Sequence, residues 1–187
     1  MERMLELLET NPVIAAVKSQ EGLNRALESQ CSVIFLLFGS VCDITDLVDQ
    51  VKGAGKAAIV HMDLVQGLAS KEISVDFLRN NTRADGIIST KSPLVKHARE
   101  LGLLCIQRSF VVDSMALATL KKQLQSFQPD AVEIMPGIMP QILRQLRENG
   151  DLPLIAGGLI QSRKDIIAAL DAGADAISTT REALWNA

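Results

Sequence analysis

Eight short apolar, β-branched runs recur along the chain, and their spacing limits the fold more than any other feature. They are PVIAAV (12–17), SVIFLLF (32–38), AAIVHM (57–62), DGIIST (85–90), LLCIQR (103–108), AVEIMP (131–136), PLIAGG (153–158) and DAISTT (175–180). Their starts lie roughly 18 to 28 residues apart, room each time for a loop, a helix and a second loop. The intervening segments have helical period, among them EGLNRALES, ITDLVDQVKG, SPLVKHARELG and SRKDIIAALDAG. Ser92-Pro93 opens one of these helices, and Gly102, Gly150 and Gly173 close others. Strands alternating with helices pair in parallel through right-handed crossovers. Eight such units predict a compact (β/α)8 TIM barrel, pared down because the 187 residues fall below the usual length of about 200 to 250. The competing open, doubly wound sheet would have to fit eight strands into the same length. No linker or shift of composition divides residues 1–187, which read as one domain with the REALWNA tail as a short last helix.

Composition excludes several classes. No apolar stretch of about 18 residues occurs, so no membrane-spanning helix is expected. The charged N-terminus, MERMLELLETNP, lacks the layout of a secretory signal. The three cysteines, Cys31, Cys42 and Cys105, are isolated from one another, as expected of reduced thiols in a cytoplasmic protein. A net charge of −3 and the absence of tyrosine argue against a global nucleic-acid footprint or an aromatic stacking platform.

A barrel strand is apolar on both faces, so polar residues within these runs need a reason. Period-two alternation places Ile59, His61 and Asp63 on one face, and Glu133 inside with Ala131 and Met135. By the same count Lys18 follows Ile14 and Ala16, and Ser178 follows Ala176; Gln107 shares a face with Cys105, while Arg108 begins the adjoining loop. All stand near C-terminal strand ends, which converge on one mouth in a parallel barrel. A buried Glu133 needs a partner, and Lys18 or Arg108 could supply it. Lys91 follows the GIIST run as a further cation.

In barrels a phosphate commonly sits in the loops after strands seven and eight. Gly157 and Gly158 end the seventh run, where glycine lets backbone approach an anion. Ser178, Thr179 and Thr180 end the eighth and offer hydroxyl donors. These five residues are the expected phosphate cradle, with Lys18, Lys91 or Arg108 nearby to balance its charge.

The segments HMDLVQGL (61–68), GIIST (86–90), IQRSFVVDS (106–114), VEIMPGIMP (132–140), PLIAGGLI (153–160) and STTREALW (178–185) resemble the glycerol-3-phosphate-responsive antiterminators, the glycerol uptake operon antiterminator regulatory proteins. The resemblance runs in register from PVIAAVK to LW; the FGSVCD loop (38–43) matches no family motif. It implies a non-enzymatic TIM barrel that senses glycerol 3-phosphate, uses no cofactor, and acts on the leader mRNA of glycerol-utilisation genes. His61, Asp63, Gln107 and Glu133 would then bond the glycerol hydroxyls. The RNA role comes from the resemblance alone, with Lys96, Arg99, Lys121, Lys122, Arg144, Arg147, Arg163 and Lys164 as basic helix-face residues. A homo-oligomer is compatible with this reading. The alternative from the residues is an isomerase, aldolase or phosphodiesterase acting on a small phosphate ester, because inward carboxylates and a histidine allow acid–base chemistry.

Overall fold

Each apolar run becomes a strand that must be covered on both sides, and the chain achieves this by closing on itself. The computed structural model describes residues 2–8 and 11–186. The strands are β1 (Val13–Val17), β2 (Val33–Leu36), β3 (Ala57–His61), β4 (Gly86–Ser89), β5 (Leu104–Phe110), β6 (Ala131–Met135), β7 (Leu154–Gly157) and β8 (Ala176–Thr179). They pair in parallel in chain order, and β1 closes on β8 through Val13↔Ile177, Ile14↔Ser178 and Ala15↔Thr179. The expected eight-stranded barrel is therefore formed.

Alternation divides the strand residues between two cores. Ile14, Phe35, Ile59, Ile88, Ile106 and Ile155 point inward and fill the interior. Ala15, Ile34, Val60, Ile87, Val132 and Ile177 point outward against the helices. The outer helices are α2 (Gln20–Glu28), α3 (Ile44–Gly53), α4 (Glu72–Asn81), α5 (Ser92–Glu100), α6 (Ser114–Ser126), α7 (Pro140–Arg147) and α8 (Arg163–Asp171). Gly102, Gly150 and Gly173 follow helix ends at φ 73°, 155° and 97°. A further helix, α1 (Glu2–Leu8), precedes the barrel and sets Met4 and Leu8 into the interior cluster, closing the end where the strands begin.

The short last helix expected over REALWNA is only a 3₁₀ turn, Glu182–Leu184. The cause is the docking of Trp185, 2% exposed, whose indole N–H donates to the Thr179 carbonyl at 2.9 Å. The Cys31 thiol donates in turn to the Trp185 carbonyl at 3.3 Å. The chain turns back too tightly for an α-helix to run. The FGSVCD loop serves the frame: Asp43 accepts the N–H and hydroxyl of Ser40, and Ser40 bridges to Gln66 in the loop after β3.

One device recurs at the closed end. Asp85, Asp130 and Asp175 stand immediately before β4, β6 and β8 and accept backbone N–H groups from the neighbouring strands, from Ala58 at 2.9 Å, Cys105 at 3.0 Å and Leu154 at 2.8 Å. Lys52 on α3 adds an ion pair to Asp85 at 2.7 Å, and Arg147 on α7 pairs with Asp175. Each carboxylate pins the start of its strand to the strand before it. Asp85→Ala strips the Ala58 N–H and Lys52 of their partner together. Urea denaturation is expected to show a loss of about 1–3 kcal/mol, whereas breaking the exposed Arg83–Asp49 pair by Arg83→Gln is expected to cost under about 1 kcal/mol.

Candidate functional site

At the opposite end of the barrel the inward positions turn polar. Glu133 on β6 is fully buried, and a carboxylate in such a place must be hydrogen-bonded. The Arg108 guanidinium pairs with one oxygen and the Ser178 hydroxyl donates to the other. Arg108 is therefore no loop residue, as the sequence suggested. Strand β5 runs on to Phe110, which places Arg108 beside Glu133 in the β5–β6 register.

Ser178 reaches Glu133 across the intervening strand β7, and glycine makes that possible. A Cβ on Gly157 would lie 2.5 Å from the Glu133 Oε1 and 2.6 Å from the Ser178 Oγ. Gly157 is thus a window in the barrel wall. Gly158 has a different role: at φ 74° it turns the chain over the Met135 side chain, and Leu159 continues the turn at φ 60°.

His61 ends β3 on the same inward face, 3% exposed, and its Nδ1 is without a hydrogen-bond partner among the described residues. Burial first, and then the positive charge of Arg108, lower the imidazole from 6.5 to about 4, with Asp63 opposing them. The ring is neutral near pH 7. Burial would raise the Asp63 carboxyl, yet the Ser89 hydroxyl at 2.7 Å and the Thr90 N–H and hydroxyl, both at 2.8 Å, hold it below its usual range. Asp63 fastens the loops after β3 and β4 to each other.

Above the Arg108–Glu133 pair opens a cavity of about 700 Å³, lined by Lys18, Arg108, Glu133, Gly158, Ser178, Thr179 and Thr180 among the expected residues. Gln107 lies elsewhere. Being on the Cys105 face it points out of the barrel, donating to the carbonyls of Ser89, Thr90 and Arg108 and accepting from the Ser92 hydroxyl. It supports the β4–α5 turn and does not face the cavity. Lys91 is exposed, donates to the Ser70 hydroxyl and does not line the cavity. Thr179, one residue out of phase with Ser178, spends its hydroxyl on the Ile160 carbonyl at 3.2 Å and the Arg181 N–H at 3.1 Å. The lining also includes residues outside the expected set, among them Leu37, Leu64, Met135, Gln161 and Arg181. Arg181 directly follows the hydroxyl run, a signal present in STTREALW and passed over. Of the basic helix residues, Arg147 is occupied by Asp175 and the Gly173 carbonyl, and Arg99 stacks on Phe127 at 5.8 Å.

Among the described residues no group of three or more His, Cys, Asp or Glu side chains could hold a metal ion. Likewise no helix is long and apolar enough to cross a membrane.

Fold and mouth together define a TIM-barrel protein whose polar residues collect at the C-terminal strand ends. The chain belongs to the glycerol-3-phosphate responsive antiterminator family, whose model matches residues 13–185. It is 45% identical over 183 residues to the uncharacterized protein YgcP of Escherichia coli (strain K12), covering 98% of this chain and 96% of that one. Among solved structures, the glycerol uptake operon antiterminator regulatory protein of Listeria monocytogenes is similar with a TM-score of 0.91 and 32% identity, covering 95% of this chain and 96% of the other. A glycerol uptake operon antiterminator-related protein of Thermotoga maritima gives 0.83 and 29%, covering 92% and 96%. Deoxyribose phosphate aldolase of Aeropyrum pernix, at 15% identity and a TM-score of 0.69 over 98% of this chain and 90% of its own, shares the fold alone.

Two measurements check this geometry. Gly157→Ala drives a methyl into the Glu133–Ser178 contact and is expected to cost about 1–3 kcal/mol of stability. NMR titration of the two histidines is expected to leave His61 neutral down to about pH 5, while His97, raised by Asp76 and Glu100, titrates above 6.5. Since the unfolded imidazole takes its proton near 6.5 and the folded one near 4, the His61 contribution to stability falls as pH drops through that window.

Proposed function

We propose that this protein is a ligand-responsive, non-enzymatic regulator: a small phosphorylated polyol, glycerol 3-phosphate, enters the mouth of the barrel, and its occupancy alters binding to a leader mRNA. One observation carries the ligand reading. In a chain of this family, a buried imidazole nitrogen without a partner stands on the same inward face as a buried Arg–Glu–Ser cluster at the floor of an open cavity. Such a floor offers both donors and acceptors, as the hydroxyls of a polyol require.

The non-enzymatic reading is supported by the lysines near the mouth. Amine nucleophiles are activated by desolvation, and both Lys18 and Lys91 are exposed. Asp63 is likewise committed to Ser89 and Thr90, which leaves no free inward carboxylate beside His61 among the described residues to serve as a second acid–base group.

RNA must meet a local surface, since the chain as a whole carries a net charge of −3. A ligand shifts that contact only by its differential affinity for the free and bound states. Calorimetric titration of glycerol 3-phosphate is expected to show saturable binding that glycerol alone does not reproduce. With ligand present, leader RNA is expected to bind roughly 5- to 150-fold more tightly, an advantage reduced at raised salt. RNA affinity that is identical with and without ligand would sink the regulatory reading.

A further inference from the structure

The cradle that the sequence suggests for the phosphate is largely occupied by the protein itself. The Ser178 hydroxyl is given to Glu133, the space over Gly157 is filled by Glu133 and Ser178, and the Thr179 hydroxyl faces outward to Ile160. The Arg108 guanidinium at the floor is likewise given to Glu133. With these groups already engaged, a phosphate position higher in the cavity is favoured.

The charges lining the cavity show where. Lys18, Arg108 and Arg181 are its cations and Glu133 its one carboxylate. Arg108 and Glu133 neutralise each other at the floor, which leaves two positive charges. Both are on the rim. Lys18 follows β1, is exposed and makes no ion pair among the described residues. Arg181 follows the neighbouring β8, and among the described residues its guanidinium holds only a 3.4 Å contact to the Gln161 side chain. Because β1 and β8 pair directly, the two cations leave adjacent strands at the same end of the barrel. Thr180, which directly precedes Arg181 and points inward by alternation from Ser178, is exposed and lines the same cavity.

Resting on the ligand reading above, we propose that the phosphate is held at the rim by Lys18, Thr180 and Arg181, with the polyol end pointing down to Arg108 and Glu133. Two uncompensated cations match the charge of a phosphate monoester, about −1.5 to −2 at pH 7. A phosphodiester carries a single charge and satisfies only one of them. Arg181 and Lys18 thereby make the site selective for monoesters, and the ligand enters hydroxyls first.

The test uses the full chain, calorimetry and two probes: glycerol 3-phosphate and its methyl phosphodiester. Wild-type protein is expected to prefer the monoester by about tenfold or more, the difference that one charge-assisted contact makes. Arg181→Gln and Lys18→Met are each expected to lower monoester affinity by a similar factor and to shrink that preference. Arg83→Gln removes the same charge from the closed end of the barrel and is expected to leave both affinities within about twofold, since charges beyond the screening length have little effect. All three positions are exposed, so thermal unfolding is expected to stay close to wild type. If wild type binds the monoester but Arg181→Gln and Lys18→Met behave like Arg83→Gln, the rim assignment is overturned and the ligand reading survives. If wild type binds neither probe, the ligand reading falls, and the rim assignment with it.

Discussion

The polar half of this barrel is organised by the need to keep one carboxylate, Glu133, in a place without water. A fully buried acid is tolerated only where neighbours replace its hydration. Arg108 does so from β5 and Ser178 from β8, two strands that do not touch each other. Between Glu133 and Ser178 stands β7, which must then carry glycine at 157. A single buried charge therefore dictates residues on three other elements of its environment. It also divides the mouth into a floor that is already neutralised and a rim that is not.

The architecture was legible because it depends on repetition. Eight runs with a regular interval leave little besides a closed parallel barrel, and each run became a strand within a few residues of the expected bounds. Local signals also held at Ser92-Pro93, which opens α5, and at the glycines that end helices. The last element was misread because a helical pattern over REALWNA says nothing about Trp185 docking on the Thr179 carbonyl. The pinning aspartates are visible afterwards in DGIIST, DAVEIM and DAISTT, yet nothing in one sequence tells a strand-starting aspartate from a loop residue.

The site was legible only as far as alternation is reliable. Period two put His61, Glu133 and Ser178 inside correctly, and placing Gln107 with Cys105 already implied that it faces outward. The same rule, applied one residue further, would have brought Arg108 inside. Strand length was the missing quantity, because a strand that extends to Phe110 carries its alternation past the point where the apolar run stops. Hydroxyls were harder still. Ser178, Thr179 and Thr180 look equivalent in sequence, but one serves a buried acid, one a backbone carbonyl, and one faces the cavity.

The helix ahead of the barrel has an effect on traffic. Because α1 drives Met4 and Leu8 into the interior where the strands begin, the described residues stopper the barrel below, and a ligand of the mouth would arrive and depart from above. Anything resting on the floor lies directly beneath whatever touches the surrounding loops. A macromolecule seated across that mouth would trap an occupant already inside, and an empty chamber covered first could not be filled. For a chamber entered from above, the order of two such encounters, and not their strength alone, would decide whether it is filled.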